Sequence, residues 1–254
     1  MPRLKTALVP LALAALATPL SAQEAETTGR VLAVFAHPDD ELVVAPALAA
    51  LARQGAEVTI IHATDGDQGP GVSGLARGAE LGRVRSLEAA CAIDALGARS
   101  SAALNLGDGQ LGIAAHLEGS PARRLADFLG AYLGRNDMVI TWGPDGGYGH
   151  ADHRIVSAVV TQLVQALPAS ERPTLLYPGF RAGTVPPIPE LQDWAVTDPA
   201  LLTERIAYET RDLAAARAAT QCHVTQFAPE VRAALADLFD RPVWQGAVHF
   251  RRAF

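Results

Sequence analysis

The sequence predicts an α/β fold of Rossmann-like, three-layer αβα architecture, with helices on both faces of a mainly parallel sheet. Short apolar runs rich in Val, Ile and Leu recur, as strands buried on both faces require. Each is followed by a stretch whose apolar residues return every three or four positions, so βαβ units repeat. Polar clusters fall just after the apolar runs, where open α/β sheets bind ligands. With 254 residues, 49% hydrophobic and 19% charged, the chain is long enough for one substantial core, and nothing in it reads as disordered.

The elements follow in order. Arg3 and Lys5 precede the apolar run ALVPLALAALATPL, and SAQ offers a small-residue cleavage point after Ala22, the layout of a secretory leader over residues 1–22. Pro10 and Pro19 interrupt that run, and it is too short to span a membrane comfortably. No Cys follows it, so no lipid anchor is indicated. RVLAVFA is the first strand, and Asp40 to Gln54 an alanine- and leucine-rich helix stopped by Gly55. EVTIIHA is the second strand and TDGDQGPGVSG a glycine-rich loop; the helix AELGRVRSLEAACAIDALG and the short strand and turn AALNLGDG come next. PARRLADFLGAYLGR is a helix, DMVITW a strand, GPDGGYGH a loop and ADHRIVSAVVTQLVQAL a helix. Beyond Pro168 the pattern loosens: TLLYPGF reads as a strand and VPPIPE as a connector. Helices near Leu201 to Thr220 and Pro229 to Phe239 then precede a terminal strand AVHF. The expectation is one domain over residues 23–254 with an elaborated C-terminal part from about 168.

Loss of the leader removes two basic residues and no acid, so 19 basic against 27 acidic side chains leave a net charge of −8. That argues against nucleic acid or an anionic membrane surface as partner. Cys91 and Cys222 can pair in an oxidising compartment, but Cys91 falls on the apolar side of its helix and reads equally as a buried free thiol.

Four polar clusters lie at strand ends: His37 to Glu41, Thr64 to Gly69, Gly107 to Gln110 and Asp145 to His153. His37 and Asp40 are three apart where a strand turns into a helix, with Pro38 suited to the first helical position. Imidazole plus carboxylate with a third ligand from elsewhere is a catalytic zinc set, and YGHADH offers that third ligand. His150 and His153 share a helix start, with Asp152 between them to orient an imidazole. An unliganded carboxylate beside such a site acts as general base, and Asp39 is the candidate. Taken alone, PDDE fits helix capping equally well, and HADH fits a solvated face.

AHPDDE combined with GGYGHADH closely resembles the LmbE-like, or PIG-L-like, N-acetylglucosaminyl deacetylase family. TDGDQG, RSLEAACAIDALG and LNLGDGQL match in kind and order; beyond Pro168 only HVTQ, His223 to Gln226, matches. The resemblance implies zinc bound by His37, Asp40 and His153, with iron, manganese or cobalt chemically compatible. Asp39 would activate water, and His150 would stabilise the oxyanion or protonate the leaving amine, tuned by Asp152. Tyr148 would assist at the same intermediate, and Arg85 and Asp108 would contact substrate.

Residue by residue, other roles remain open at this stage. Arg85 fits a pair with Glu88 on an exposed helix face. Asp108 fits a turn-shaping role, Tyr148 a cover for the helix end, and Glu41 a loop anchor. The implied reaction is acetyl removal from an N-acetylated amino sugar, by an exported enzyme of open oligomeric state. Another amidase acting on a non-sugar or thiol-conjugate amide, and a noncatalytic metal-containing carbohydrate-binding domain, are the alternatives. A nucleotide-binding Rossmann protein is disfavoured, because the first βα turn carries acids where a pyrophosphate needs glycines.

Overall fold

The structure is a computed structural model that describes residues 29–100 and 104–254; the leader reading falls outside them. In chain order the elements are β1 (Arg30–Phe35), α1 (Ala45–Arg53), β2 (Glu57–His62), α2 (Ala79–Ala95), β3 (Arg99–Ser100), α3 (Pro121–Gly130), β4 (Met138–Thr141) and α4 (Ala151–Ala166). There follow β5 (Thr174–Pro178), β6 (Phe180–Arg181), β7 (Val196–Thr197), β8 (Glu204–Ala207), α5 (Thr210–Cys222), α6 (Pro229–Phe239) and β9 (Ala247–Arg252).

Seven strands form one sheet in the order β3-β2-β1-β4-β5-β9-β8, and β6 with β7 forms a separate two-stranded ribbon. The first five are parallel, as crossover helices demand, whereas β9 runs antiparallel to both neighbours. The core lies on both faces. Along β1, Val31, Ala33 and Phe35 join a cluster with α1, α2, α5 and α6, while Leu32 and Val34 join another with α3 and α4. Both faces of this strand are covered, which is why it reads as an unbroken apolar run instead of an alternating one. The chain moves outward from β1 to β2 and β3, then returns to place β4 on the other side of β1. The crevice at the carboxyl ends of β1 and β4 is therefore the topological switch point of the sheet.

Local readings depart from the sequence in several places. The helix expected from Asp40 opens as a 3-10 turn, Asp40–Val44, before α1, and Pro38 lies in the preceding turn rather than at a first helical position. The strand expected in AALNLGDG is instead the short β3; residues 104–107 pair with no strand, and residues 101–103 lie outside the described set. The helix from Pro121 ends at Gly130, and Leu133–Arg135 is a separate 3-10 turn. TLLYPGF breaks into β5 and β6. The first part of the helix expected from Leu201 is the edge strand β8, paired along β9, and α5 starts only at Thr210 under a Glu209/Asp212 capping box.

Cys91 is exposed rather than packed in an apolar face, and it forms a disulfide with Cys222, joining α2 to the end of α5 across 131 positions of sequence. A loop this long strongly restricts the unfolded chain. Cys222→Ser should lower unfolding stability by about 2–5 kcal/mol in urea titrations, and added reductant should reproduce that loss in the parent protein but not in the variant.

Candidate metal centre

The site is assembled at the switch point. Val34 on β1 is in register with Thr141 on β4, so His37 and Trp142 emerge side by side from neighbouring strands. After β1 the backbone turns tightly, the Asp40 N–H bonding the His37 carbonyl at 3.2 Å. Asp39 inside this turn has φ of +98°, a conformation that costs a non-glycine residue on the order of 1–3 kcal/mol. Its neighbours hold it there. The Asp39 N–H donates to Glu41 Oε2 at 3.0 Å, and Arg85 Nη2 donates to the Pro38 carbonyl at 2.7 Å and to Asp39 Oδ2 at 3.3 Å. Burial pushes the Asp39 carboxyl up to about 6 although Arg85 pulls it down, which leaves it basic near neutral pH.

Three donor atoms converge beside that turn. His37 Nδ1 lies 3.2 Å from His153 Nε2, which lies 3.1 Å from Asp40 Oδ1. The other Asp40 oxygen accepts from the Ala36 and His37 N–H groups and from Trp142 Nε1, at 2.9, 3.0 and 3.0 Å. Burial alone would raise Asp40, but His153, His37 and Trp142 outweigh it and hold the carboxyl well below its usual range. His153 is fully buried, and its Nδ1 lies 3.1 Å from the Gly146 carbonyl, which fixes the tautomer that turns the Nε2 lone pair inward. Its ring also stacks on Trp142 at 4.6 Å. Gly147 completes this packing: at φ of +70°, a Cβ would meet the Trp142 ring at 2.8 Å.

His37 Nε2 faces Asp108 Oδ1 at 3.1 Å and Asp152 Oδ2 at 3.4 Å, yet it is buried with no aligned hydrogen bond. Burial should depress the His37 imidazole, but Asp108, Asp152 and Asp40 raise it to about 10. Carboxylates thus dominate the field at this point, and a cation suits it. His37, His150 and His153 offer ligand atoms within 4.8 Å of one another, as do His37, Asp108 and Asp152. With the Asp40 oxygen beside them, these nitrogen and oxygen donors are the chemistry of a divalent metal site.

His150 caps α4, its Nδ1 accepting the Asp152 N–H at 3.2 Å, so the neutral ring presents Nε2–H. Burial, His37 and His153 lower its pKa, and the opposing pull of Asp152 does not prevail. The Asp152 carboxylate does not reach that imidazole as the sequence suggested; it accepts the Gly109 and Leu111 N–H groups at 2.7 and 3.3 Å and faces His37. Asp108 holds the Gln68 N–H as well as facing His37. Tyr148 is 44% exposed, with its ring 5.2 Å from that of His153. The exposed Arg85–Glu88 pair is not formed. Arg85 is buried on the carbonyls of Pro38 and Gly66, and Glu88, also buried, accepts from the Thr225 N–H at 2.8 Å and hydroxyl at 2.6 Å.

Sequence reasoning missed the supports. Trp142 reads only as the end of a strand, and its hydrogen bond to Asp40 carries no pattern. Glu41 is fully buried between His62 Nε2 at 3.0 Å and His223 Nε2 at 2.6 Å, so it anchors the loop, as read, but through two partners the reading did not name. Gln226 donates to the Gly69 carbonyl at 2.9 Å, and Val72 N–H to the Thr225 carbonyl at 2.8 Å, which pins the glycine-rich loop. HVTQ was the available signal for the contacts of His223, Thr225 and Gln226.

The family profile described as PIG-L, GlcNAc-PI de-N-acetylase, matches residues 32–164, just over half of the chain. The chain belongs to this family. A 1D-myo-inositol 2-acetamido-2-deoxy-alpha-D-glucopyranoside deacetylase of Nakamurella multipartita is 37% identical over 198 residues, covering 64% of this chain and 67% of that protein. Its counterpart from Corynebacterium glutamicum is 36% identical over 144 residues, 49% of each. The chain thus spans about half to two thirds of the length of such relatives. Among solved structures, N,N'-diacetylchitobiose deacetylase from Pyrococcus horikoshii superposes with a TM-score of 0.64 at 18% identity, covering 91% of this chain and 86% of that one. GalB, the 4-carboxy-2-hydroxymuconate hydratase from Pseudomonas putida, gives 0.63 at 18% identity, with 89% and 96% covered. These two neighbours show the fold, and their different reactions show that the fold alone does not select the chemistry.

His223 is fully buried against Glu41. Burial lowers its pKa, but Glu41, Asp39 and Glu88 raise it above the ordinary 6.5. The stability it contributes is therefore fully present below pH 6.5 and is lost as pH rises through the raised folded value. Urea unfolding from pH 6 to 9 should show stability falling in the parent protein and a flatter profile in His223→Gln. That variant should also be less stable by about 3 kcal/mol near pH 6, because Glu41 loses its partner in the interior.

Proposed function

We propose that this protein is a metal-dependent N-deacetylase that hydrolyses the acetamide of an N-acetylated amino sugar, with zinc as the native ion. The observation that carries the reading is the convergence of His37, Asp40 and His153 beside a strained, unliganded Asp39. The names of the curated relatives, deacetylases of a 2-acetamido sugar, support the substrate class. The relative lengths leave substrate choice to this chain's own surroundings.

His37, Asp40 and His153 would hold the ion, with Asp108 and Asp152 behind His37, the Gly146 carbonyl behind His153 and Trp142 behind Asp40. When bound, a divalent cation supplies Lewis-acid polarisation of a carbonyl and a more acidic water. Asp39 takes a proton from the attacking water as the new C–O bond forms at the acetamide carbon. The oxygen that becomes negative is met by the Nε2–H of His150, whose capping bond at Nδ1 favours a neutral donor over an imidazolium acid. Collapse breaks the C–N bond, and the nitrogen receives the proton from Asp39, leaving acetate and amine. Tyr148 stands over His153 at the mouth of the site and is placed to assist the same oxygen. Arg85 keeps Asp39 in place, its guanidinium largely occupied by backbone carbonyls.

The protein is also inferred to be exported, a reading supported by the leader pattern at residues 1–22 and by the Cys91–Cys222 disulfide, a bond that persists in oxidising compartments. No helix among the described residues is long and apolar enough to cross a membrane.

Purified without chelator, the protein should carry one zinc per chain and release amine from N-acetylglucosamine derivatives; absence of metal would overturn the reading. Asp39→Asn should retain metal and lose at least about a thousandfold in turnover, whereas near-normal activity would remove Asp39 as base. His153→Ala should lose the metal itself. Trp142→Phe, which keeps an aromatic ring but not the donor to Asp40, should weaken zinc binding by about 10- to 100-fold in competition with a chromophoric chelator.

A further inference from the structure

Two elements grip the turn at Asp39. From α2, Arg85 donates to the Pro38 carbonyl at 2.7 Å and to Asp39 Oδ2 at 3.3 Å. From the end of α5, His223 Nε2 stands 2.6 Å from Glu41 Oε1, and the other Glu41 oxygen receives the Asp39 N–H at 3.0 Å. The two elements meet at one junction. Glu88, one turn beyond Arg85 on α2, accepts the N–H and hydroxyl of Thr225, just past His223, at 2.8 and 2.6 Å. The disulfide closes the same junction. Cys91 lies one turn beyond Glu88, and Cys222 is the last residue of α5 and the covalent neighbour of His223.

The packing at this junction is slight. The core residues that α2 and α5 contribute are mostly small, Ala92, Ala216 and Ala219 with Ile93 and Leu213. Such side chains bury little apolar area with which to hold two helices in register. A shift of about 1 Å at His223 takes a 2.6 Å contact out of hydrogen-bonding range. Glu41 would then lose its purchase on the Asp39 N–H, at a residue whose φ of +98° only its surroundings enforce. Asp40 is held separately, by Ala36, His37 and Trp142, so the proposed metal ligands do not depend on the junction. Cys91 is exposed and Cys222 half-buried, which leaves the bond open to a small thiol reagent.

We infer that the Cys91–Cys222 pair is a positioning element for Asp39, so that turnover requires the disulfide and a dithiol reductant converts the enzyme to a folded, metal-binding but slow form. This control rests on the deacetylase reading for the reaction it governs and on the junction's geometry for its mechanism. In the reductive step one thiolate of the dithiol attacks a protein sulfur, breaks the S–S bond and forms a mixed disulfide; its second thiolate then displaces the remaining cysteine. Cys91 and Cys222 take up two electrons and two protons, and the reductant leaves as its own disulfide. A low-molecular-weight disulfide oxidises the pair by the reverse exchange and leaves as two thiols. A chain made under reducing conditions is thus slow until it is oxidised.

The test compares full-length protein oxidised with glutathione disulfide against the same protein reduced with dithiothreitol and freed of it anaerobically, at a temperature where circular dichroism shows both folded. The substrate is a methyl glycoside of N-acetylglucosamine. Reduction should lower kcat by about 10- to 100-fold, with KM within about twofold and metal content per chain unchanged, and glutathione disulfide should restore it. Cys91→Ser and Cys222→Ser should each start at the low value and ignore both reagents. Leu129→Ala, in the core on the opposite face of the sheet, provides a comparable loss of stability and should keep the parental kcat. A second readout is independent of turnover. The Asp40 and Leu42 N–H groups, bonded to the His37 and Asp39 carbonyls, should exchange with deuterium about tenfold faster on reduction, while those of β4 stay unchanged. Equal kcat in the two redox states, or an equal fall in Leu129→Ala, overturns the inference and leaves the deacetylase reading intact. Absence of amine release from N-acetylated sugars in both states overturns the deacetylase reading, and exchange at Asp40 and Leu42 then decides whether the disulfide holds the turn.

Discussion

The Glu41 carboxylate, fully buried, takes hydrogen bonds from two distant parts of the chain, His62 at the end of β2 and His223 after α5, and from the backbone N–H of nearby Asp39. An isolated carboxylate at that depth would cost several kcal/mol, so it is tolerated only with both imidazoles in place. In return it fixes the one backbone turn on which the site depends. Asp39 sits at a positive φ that only surrounding structure can enforce, and Glu41 and Arg85 grip that turn from opposite directions. The order of construction is therefore sheet, then buried ionic network, then strained turn, then converging ligands.

The acids at the switch point raise a second constraint. Asp40, Asp108 and Asp152 gather around His37, and its imidazole alone answers that field only by carrying a proton. A cation meets the same need without immobilising protons, which ties the site's composition to its occupant. The backbone carbonyl behind His153 and the indole behind Asp40 constrain both of these proposed ligand groups. Such preorganisation is the usual source of selectivity and strength in metal sites.

Much of this was legible in the sequence. The strand ends placed His37, Asp40, His150 and His153 together because a parallel sheet with a switch point leaves them no other place. What escaped had physical reasons. Arg85 and Glu88 are spaced like a surface pair, yet each is drawn inward by a different loop's backbone. Cys91 sits among alanines that hide which face of α2 is exposed. The four residues of β8 are too few for strand alternation to outweigh the alanine-rich helix after them, and pairing with β9, a tertiary fact, decides their state. Trp142 bonds to a residue 102 positions away, and no local pattern encodes that contact.

The disulfide gives the architecture a further meaning. The family profile's match stops at residue 164, yet Cys91 within that span is bonded to Cys222 outside it. Glu41 and Glu88 likewise satisfy themselves on His223 and Thr225, and β5 continues the sheet that β1 and β4 begin. The edge of kinship is thus not an edge of the physical object. The segment beyond the match supplies a histidine, a threonine and a sulfur to the part that holds the candidate site. The C-terminal third is a co-author of the site: through Glu41 and Glu88 it holds the turn and the helix that carry Asp39 and Arg85.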